Sequence, residues 1–155
     1  MLYKNPPHIL FILLLAGSIL VSCKTTSIMG PSYKSPDKYN LKFIGYDDSN
    51  IAPDKAKRSF YKISINKVIN GRTTTGLEFQ KKTYTTKLSL NRHVLTVKKY
   101  VLDERTKQYK LLNNINQPKP GFIVFTMPED RIVLITMSVE KNNKAKYKVG
   151  FEMKK

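Results

Sequence analysis

Few residues in this chain are of a type and spacing that could do chemistry. His93 is the only histidine after residue 8, and Cys23 is the only cysteine among 155 residues. A histidine works as a general base or metal ligand only beside partners within hydrogen-bond reach. Asp103 and Glu104 are the nearest downstream carboxylates, and a hairpin reading puts them at the far end from His93. Asp47-Asp48 and Glu129-Asp130 are adjacent carboxylates in turn-rich stretches, where sequence neighbours point apart and cap turns. A single cysteine excludes a disulfide framework within the chain and a cysteine-rich zinc site. None of the patterns DxDxDG, HExxH, GxSxG, GxGxxG or GxxxxGK occurs. The residues therefore lead to the expectation of a non-enzyme, with no cofactor and no metal.

Charge is the remaining chemical signal. Twenty-eight Lys and Arg stand against 11 Asp and Glu, for a net +17. Nine cations fall between residues 81 and 110: Lys81, Lys82, Lys87, Arg92, Lys98, Lys99, Arg105, Lys107 and Lys110. Only Asp103 and Glu104 oppose them in that stretch, and Tyr84, Tyr100 and Tyr109 are interleaved. These nine are the candidate anion-binding residues. Cations with aromatic interleaving suit phosphate contact and base stacking. They equally suit another polyanion, or a solvated surface whose edge-strand lysines oppose aggregation.

The N-terminus narrows this choice. Ile9 to Val21 is a 13-residue run broken only by Gly17 and Ser18. A helical membrane span needs about 20 apolar residues, so this run fits the hydrophobic region of a secretory signal. It ends in Leu20-Val21-Ser22-Cys23, which resembles the lipobox of bacterial lipoproteins: an aliphatic residue, a tolerant position, a small residue, then cysteine. The resemblance implies cleavage between Ser22 and Cys23 and a diacylglyceryl thioether on Cys23. It also implies fatty acylation, palmitate among the acyl groups, of the new amino terminus. Two or three acyl chains hold a protein stably at a membrane, because each buried CH2 contributes about 0.8 kcal/mol. Lys24 is not the Asp associated with inner-membrane retention, so the resemblance implies the outer membrane. An exported chain does not meet nucleic acid, and the expected partners become the membrane, an envelope protein, or an anionic glycan or lipid.

The elements that must carry these residues read as strands. Cleavage removes one cation, Lys4, and leaves +16. Lys24 to Lys38 mixes Thr, Ser, Gly and Pro without a period, as a tether does. From Tyr39 onward short apolar-polar alternations follow one another. Tyr61, Ile63 and Ile65 alternate with Lys62, Ser64 and Asn66. Asn70-Gly71 reads as a turn, since both residues tolerate positive φ. His93 to Leu102 has high strand propensity. Phe122 to Met127 and Arg131 to Glu140 form the clearest pair of strands, joined at Pro128-Glu129-Asp130. Eight or nine strands with regular turn signals predict a single small antiparallel β-sandwich, an all-β fold without a confident helix. Its core should include Ile63, Ile65, Leu95, Val97, Phe125, Val133 and Ile135.

Two further stretches carry resemblances. Phe125 to Glu140, FTMPEDRIVLITMSVE, looks like the Phe-x-Met-Pro hairpin of immunoglobulin-like bacterial surface repeats. Lys87 to Tyr100, KLSLNRHVLTVKKY, looks like the Leu-x-x-Gly-x-His-x-Leu-x-Val segment of PEGA-type β-domains, with the glycine replaced. Both imply β-sandwiches outside the cytoplasm. The expected organisation is a signal peptide at 1–22, lipidated Cys23 with a tether to 38, and a sandwich over 39–155. The expected role is that of a lipid-anchored, non-catalytic envelope lipoprotein with a binding or structural task. A surface-exposed, adhesin-like module for a host or environmental polyanion is the alternative.

Overall fold

A computed structural model describes residues 38–48 and 51–154, which belong to the compact unit Tyr33–Lys155. The expected signal peptide, Cys23 and all of the tether but Lys38 lie outside the described residues. So do Ser49 and Asn50 of the expected first turn.

Among the described residues there are ten strands: β1 Leu41–Asp47, β2 Arg58–Ile65, β3 Val68–Arg72, β4 Gly76–Leu77, β5 Lys82–Thr86, β6 Arg92–Asp103, β7 Gln108–Leu111, β8 Phe122–Thr126, β9 Arg131–Val139 and β10 Ala145–Met153. A 3-10 turn at Asn114–Asn116 interrupts the loop before β8, with the Asn113 side chain accepting from the Asn116 amide. One sheet has the order β10-β9-β1-β5. The other has the order β3-β2-β6-β7, with β4 on β2 and β8 also on β6. The two sheets pack as a small all-β sandwich.

Alternation decides which side chains go between the sheets. Leu41, Phe43, Tyr61, Ile63, Leu95, Val133, Ile135 and Met137 are sealed from solvent. All seven core residues expected from the sequence are buried. Phe43 and Tyr61 meet edge to face across the sheets, with ring centroids 6.3 Å apart. Gly45 makes room for this contact, because a Cβ there would come within 2.8 Å of the Tyr61 ring.

Three expectations are corrected. First, Asn70-Gly71 is not the turn. The two-residue hairpin between β2 and β3 is Asn66-Lys67, with φ of 50° and 70°, as a type I′ turn requires. Asn70 instead falls where the β2–β3 register shifts between Ile63 and Ser64, and its side chain accepts from the Tyr84 hydroxyl. Gly71 is required by packing, since a Cβ would lie 2.6 Å from the Tyr84 ring. Second, β8 and β9 do not pair with each other. β8 pairs β6 and β9 pairs β1 and β10, so Pro128-Glu129-Asp130 carries the chain from one sheet to the other. Third, the sandwich is not wholly antiparallel, because β1 runs parallel to β9 from Leu41↔Val133 to Asp47↔Val139.

Ile135 sits on a central strand and is wholly buried. Ile135→Ala is expected to lower the unfolding free energy of the 39–155 fragment by about 2–5 kcal/mol, read from urea denaturation. A loss below about 1 kcal/mol would contradict the inner placement of β9.

Candidate functional site

Alternation also carries polar residues inside. Asp47 ends the inward row of β1, Leu41-Phe43-Gly45-Asp47. Lys99 lies in the inward row of β6 between Val97 and Val101. The Lys99 ammonium donates to Asp47 Oδ2 and, at 2.8 Å, to Glu78 Oε1. Tyr61 Oη donates to Asp47 Oδ1 at 2.5 Å. Lys82 is sealed as well; its ammonium donates to the Glu78 and Gln80 carbonyls at 2.9 Å and lies 5.4 Å from the Tyr61 ring centre. Gln117 braces Lys99 from the loop, accepting from its amide at 2.9 Å and donating to its carbonyl at 3.0 Å. Lys99 thus meets both carboxylates, whereas Lys82 meets backbone carbonyls; together two ammonium groups and two carboxylates share this part of the interior.

Burial sets the titration of this cluster. It pushes the Tyr61 hydroxyl well above its ordinary value, and the Asp47 charge and hydrogen bond add to the effect. Burial pulls the Lys82 ammonium down to about 8; Asp47 and Glu78 oppose this, and Lys99 assists it. Asp47, Tyr61, Lys82 and Lys99 are buried, and Glu78 is partly buried. The cluster holds strands of both sheets together.

His93 is buried beside Phe125, with ring centroids 5.8 Å apart. Its Nδ1 lies 3.1 Å from the Asn66 side-chain nitrogen Nδ2 and its Nε2 lies 3.0 Å from the Ser89 carbonyl. Both ring nitrogens are therefore engaged in holding the β2–β3 turn against the start of β6. Asp103 lies at the other end of that 12-residue strand. Among the described residues, no group of three or more His, Cys, Asp or Glu is arranged to hold a metal ion. A shallow depression is lined by Asp48, Glu140, Lys141 and Asn142, and its Glu140 is paired with Lys146.

The nine cations singled out by sequence do not share a face. Lys82 and Lys99 are interior. Lys81 and Lys87 are exposed at the two ends of β5. Arg105, Lys107 and Lys110 belong to the β6–β7 hairpin, where Lys107 pairs with Glu104 at 2.7 Å and Lys110 with Asp103 at 2.5 Å. The Lys110 hydrogen bond holds the Asp103 carboxyl down at about 2. Arg92 and Lys98 remain, both exposed on the outward face of β6.

Lys98 stands in a different group, which sequence reading missed. Across the second sheet Arg72 is opposite Lys62, and Lys62 is opposite Lys98. Three cations therefore lie side by side on β3, β2 and β6, at a strand spacing of about 4.8 Å. Beside them Phe60 stacks on Tyr100, with centroids 5.1 Å apart and planes within 3°, and meets Tyr109 at 5.0 Å. Arg72 lies 5.0 Å over Phe60, and the Lys62 ammonium 5.8 Å from Tyr100. Arg58 belongs to the same outward row of β2. No Asp or Glu occupies the outward positions of β2, β3, β6, β7 or β8. Like charges directly opposite one another destabilise a sheet, so this row is a cost that aromatic packing only partly offsets. The signal was parity: Lys62 and Lys98 both fall on outward positions of alternating strands, but which strands adjoin is a tertiary fact.

No protein-family model matches the chain, and neither does any curated protein or solved structure.

The interior cluster predicts a pH dependence. Unfolded, Lys82 keeps its proton to about 10.5; folded, it loses it near 8. Between those values the unfolded chain binds more protons, so this group makes stability rise with pH. Tyr61 has the opposite sign, but only above about pH 10, where the unfolded tyrosine ionises and the folded one does not. The urea midpoint of the 39–155 fragment is expected to rise from pH 8 to 9.5, and Lys82→Met to remove the rise. A wild-type midpoint that is flat or falling over that range would contradict it.

Proposed function

We propose that this chain is a lipid-anchored, non-catalytic envelope protein that binds an anionic ligand of the envelope through the outward face of its second sheet. The observation that carries the binding role is the Arg72-Lys62-Lys98 row, with like charges opposed across three strands and, among the described residues, no carboxylate at the outward positions of those strands. A fold that keeps such a row without internal counter-charge gains when regularly spaced anionic groups supply it. Flanking Tyr100 and Tyr109 add flat surface against which a sugar ring or acyl stem can lie. The anchoring role rests on the hydrophobic run and the lipobox ending at Cys23. The neutralised interior cluster supports a task without catalysis, because the titratable groups it gathers are spent on each other.

Anchoring is tested in cells. The full-length chain should incorporate a labelled fatty acid and partition with membranes, and Cys23→Ala should abolish both. Normal labelling of the variant would overturn this part.

Binding is tested on the 39–155 fragment with anionic vesicles, neutral vesicles and heparin. Anionic probes should be retained and neutral vesicles not, with a steep loss as salt rises, because exposed charges are screened beyond about 8 Å at physiological ionic strength. Preference for vesicles over heparin identifies a lipid headgroup, and the reverse a glycan. Lys62→Glu and Lys98→Glu should each weaken binding about tenfold while leaving the circular dichroism unchanged. Lys99→Glu should instead unfold the fragment, since it removes the cation from between two buried carboxylates. Equal retention on neutral vesicles, or undiminished binding by both outward variants, would sink the reading.

A further inference from the structure

The first sheet has two edges, β5 and β10. That of β5 is covered by the segment before it: the Thr74 amide donates to the Thr83 carbonyl at 2.8 Å, and the Thr83 amide to Thr74 Oγ1 at 3.0 Å. Among the described residues, that of β10 is covered only at its start, where the Ala145 amide donates to the Lys119 carbonyl at 2.9 Å. On the other side the Lys144 carbonyl accepts from Glu140 next to β9. Peptide groups alternate direction along a strand. The amides and carbonyls of Tyr147, Val149, Phe151 and Met153 therefore point out of the sheet. The same four side chains form one face of the strand, where Val149, Phe151 and Met153 are exposed by 40%, 55% and 69%. Among the described residues this seven-residue edge has no proline, bulge or cover, and such an edge is a template for another strand.

We propose that β10 pairs antiparallel with β10 of a second copy, about a two-fold axis at Gly150. The open segment from Tyr147 to Met153 is centred on Gly150, so this register pairs all of it with itself. Tyr147 then lies opposite Met153 of the second copy and Val149 opposite its Phe151, each twice, joining the exposed apolar groups in one row. On the other face Lys148 lies opposite Glu152 of the second copy, again twice, so unlike charges meet. The adjoining Lys146 and Lys154 would face each other, but each has a partner within its own chain, Glu140 and the Glu129 carbonyl. Shifting the axis to residue 148 sets Lys148 against Lys148, and shifting it to Phe151 sets Lys148 against Lys154. An axis at Val149 directs Ala145 to the second copy, although Lys119 already occupies its edge.

Gly150 supports this register independently. A Cβ at that position would meet nothing within 4 Å in the single chain, so intrachain packing does not require glycine there. At the axis the residue becomes a non-hydrogen-bonded pair, the closest approach of two antiparallel backbones, about 4.5 Å between Cα atoms. An isologous contact closes on itself and ends at two copies.

The test uses the full-length chain carrying two different tags, co-expressed and co-recovered from gently solubilised membranes. Wild-type copies should recover each other. Lys148→Glu in both copies sets Glu against Glu152, and Glu152→Lys in both sets Lys against Lys148; each should cut co-recovery about tenfold. Co-expressing the Lys148→Glu chain with the Glu152→Lys chain makes both pairs unlike again and should restore recovery to within about twofold. Absence of wild-type co-recovery, indifference to the single variants, or failure of the mixed pair to recover would each overturn the proposal.

Discussion

The contact between Lys99 and Asp47 sets the frame for everything else in this fold. A lysine and an aspartate taken out of water lose several kcal/mol of hydration each, and recover it only if every remaining lone pair and proton is matched. The surroundings of the pair meet that demand. Glu78 takes a second bond from the ammonium, Tyr61 gives one to the carboxylate, and Gln117 closes the backbone of Lys99. Lys82 lies beside the pair on backbone carbonyls, and burial disfavours its charged form. Removing Lys99 or Asp47 leaves an uncompensated buried charge, a loss of about 3–5 kcal/mol against total stabilities of about 5–15 kcal/mol. The pair also fixes register. Asp47 belongs to one sheet and Lys99 to the other, and a one-residue slip of either strand would turn its charge to solvent and strand its partner.

What is inside determines what is outside. Lys98 and Lys99 are adjacent and chemically identical, yet the pleat sends Lys99 to the ion cluster and Lys98 to the surface row. Once Lys99 faces Asp47, Lys98 must face outward beside Lys62, because the β2–β6 register sets Tyr61 against Lys99 and Lys62 against Lys98. The like-charged row is thus a consequence of the same pairing that neutralises the core. The strand could have carried a neutral residue at 98 without disturbing Lys99. That it carries a cation beside two others is the feature that turns a structural argument toward binding.

Much of the fold was legible because burial is local in strands. Ile63, Ile65, Leu95 and Val97 alternate with polar neighbours, and alternation alone placed them in the core. Strand direction was not legible, since parallel and antiparallel strands share the same period; hence the β1–β9 pair went unseen. The β2–β3 turn was misplaced because Asn70-Gly71 is the stronger turn dipeptide, whereas the structure puts positive φ on Asn66 and on Lys67, a residue type that rarely adopts it. The contact of Gly71 with the Tyr84 ring, a long-range fact, decides between them. The interior cluster joins residues as far as 52 positions apart, and a composition count sees Lys82 and Lys99 only as two more surface cations. Their inward parity among Tyr84 and Thr86, and among Val97 and Val101, was the available clue. It becomes informative only when an opposing carboxylate can be named.

The two surfaces proposed for association lie on different sheets, and this makes them compatible. The cation row is on the outward face of β3, β2 and β6, whereas the open edge belongs to β10 of the other sheet. Exposed ion pairs contribute little one at a time, about 0–1 kcal/mol each, so one row of three would hold a polyanion only weakly. A symmetric pair would present two such rows on one assembly, and binding of the second becomes intramolecular once the first is engaged. A lipid anchor on each copy would act in the same direction, by confining the rows to the membrane where neighbouring copies meet. Weak sites of like charge then suffice, and the sandwich needs neither a deep pocket nor a catalytic group to hold an extended anionic surface.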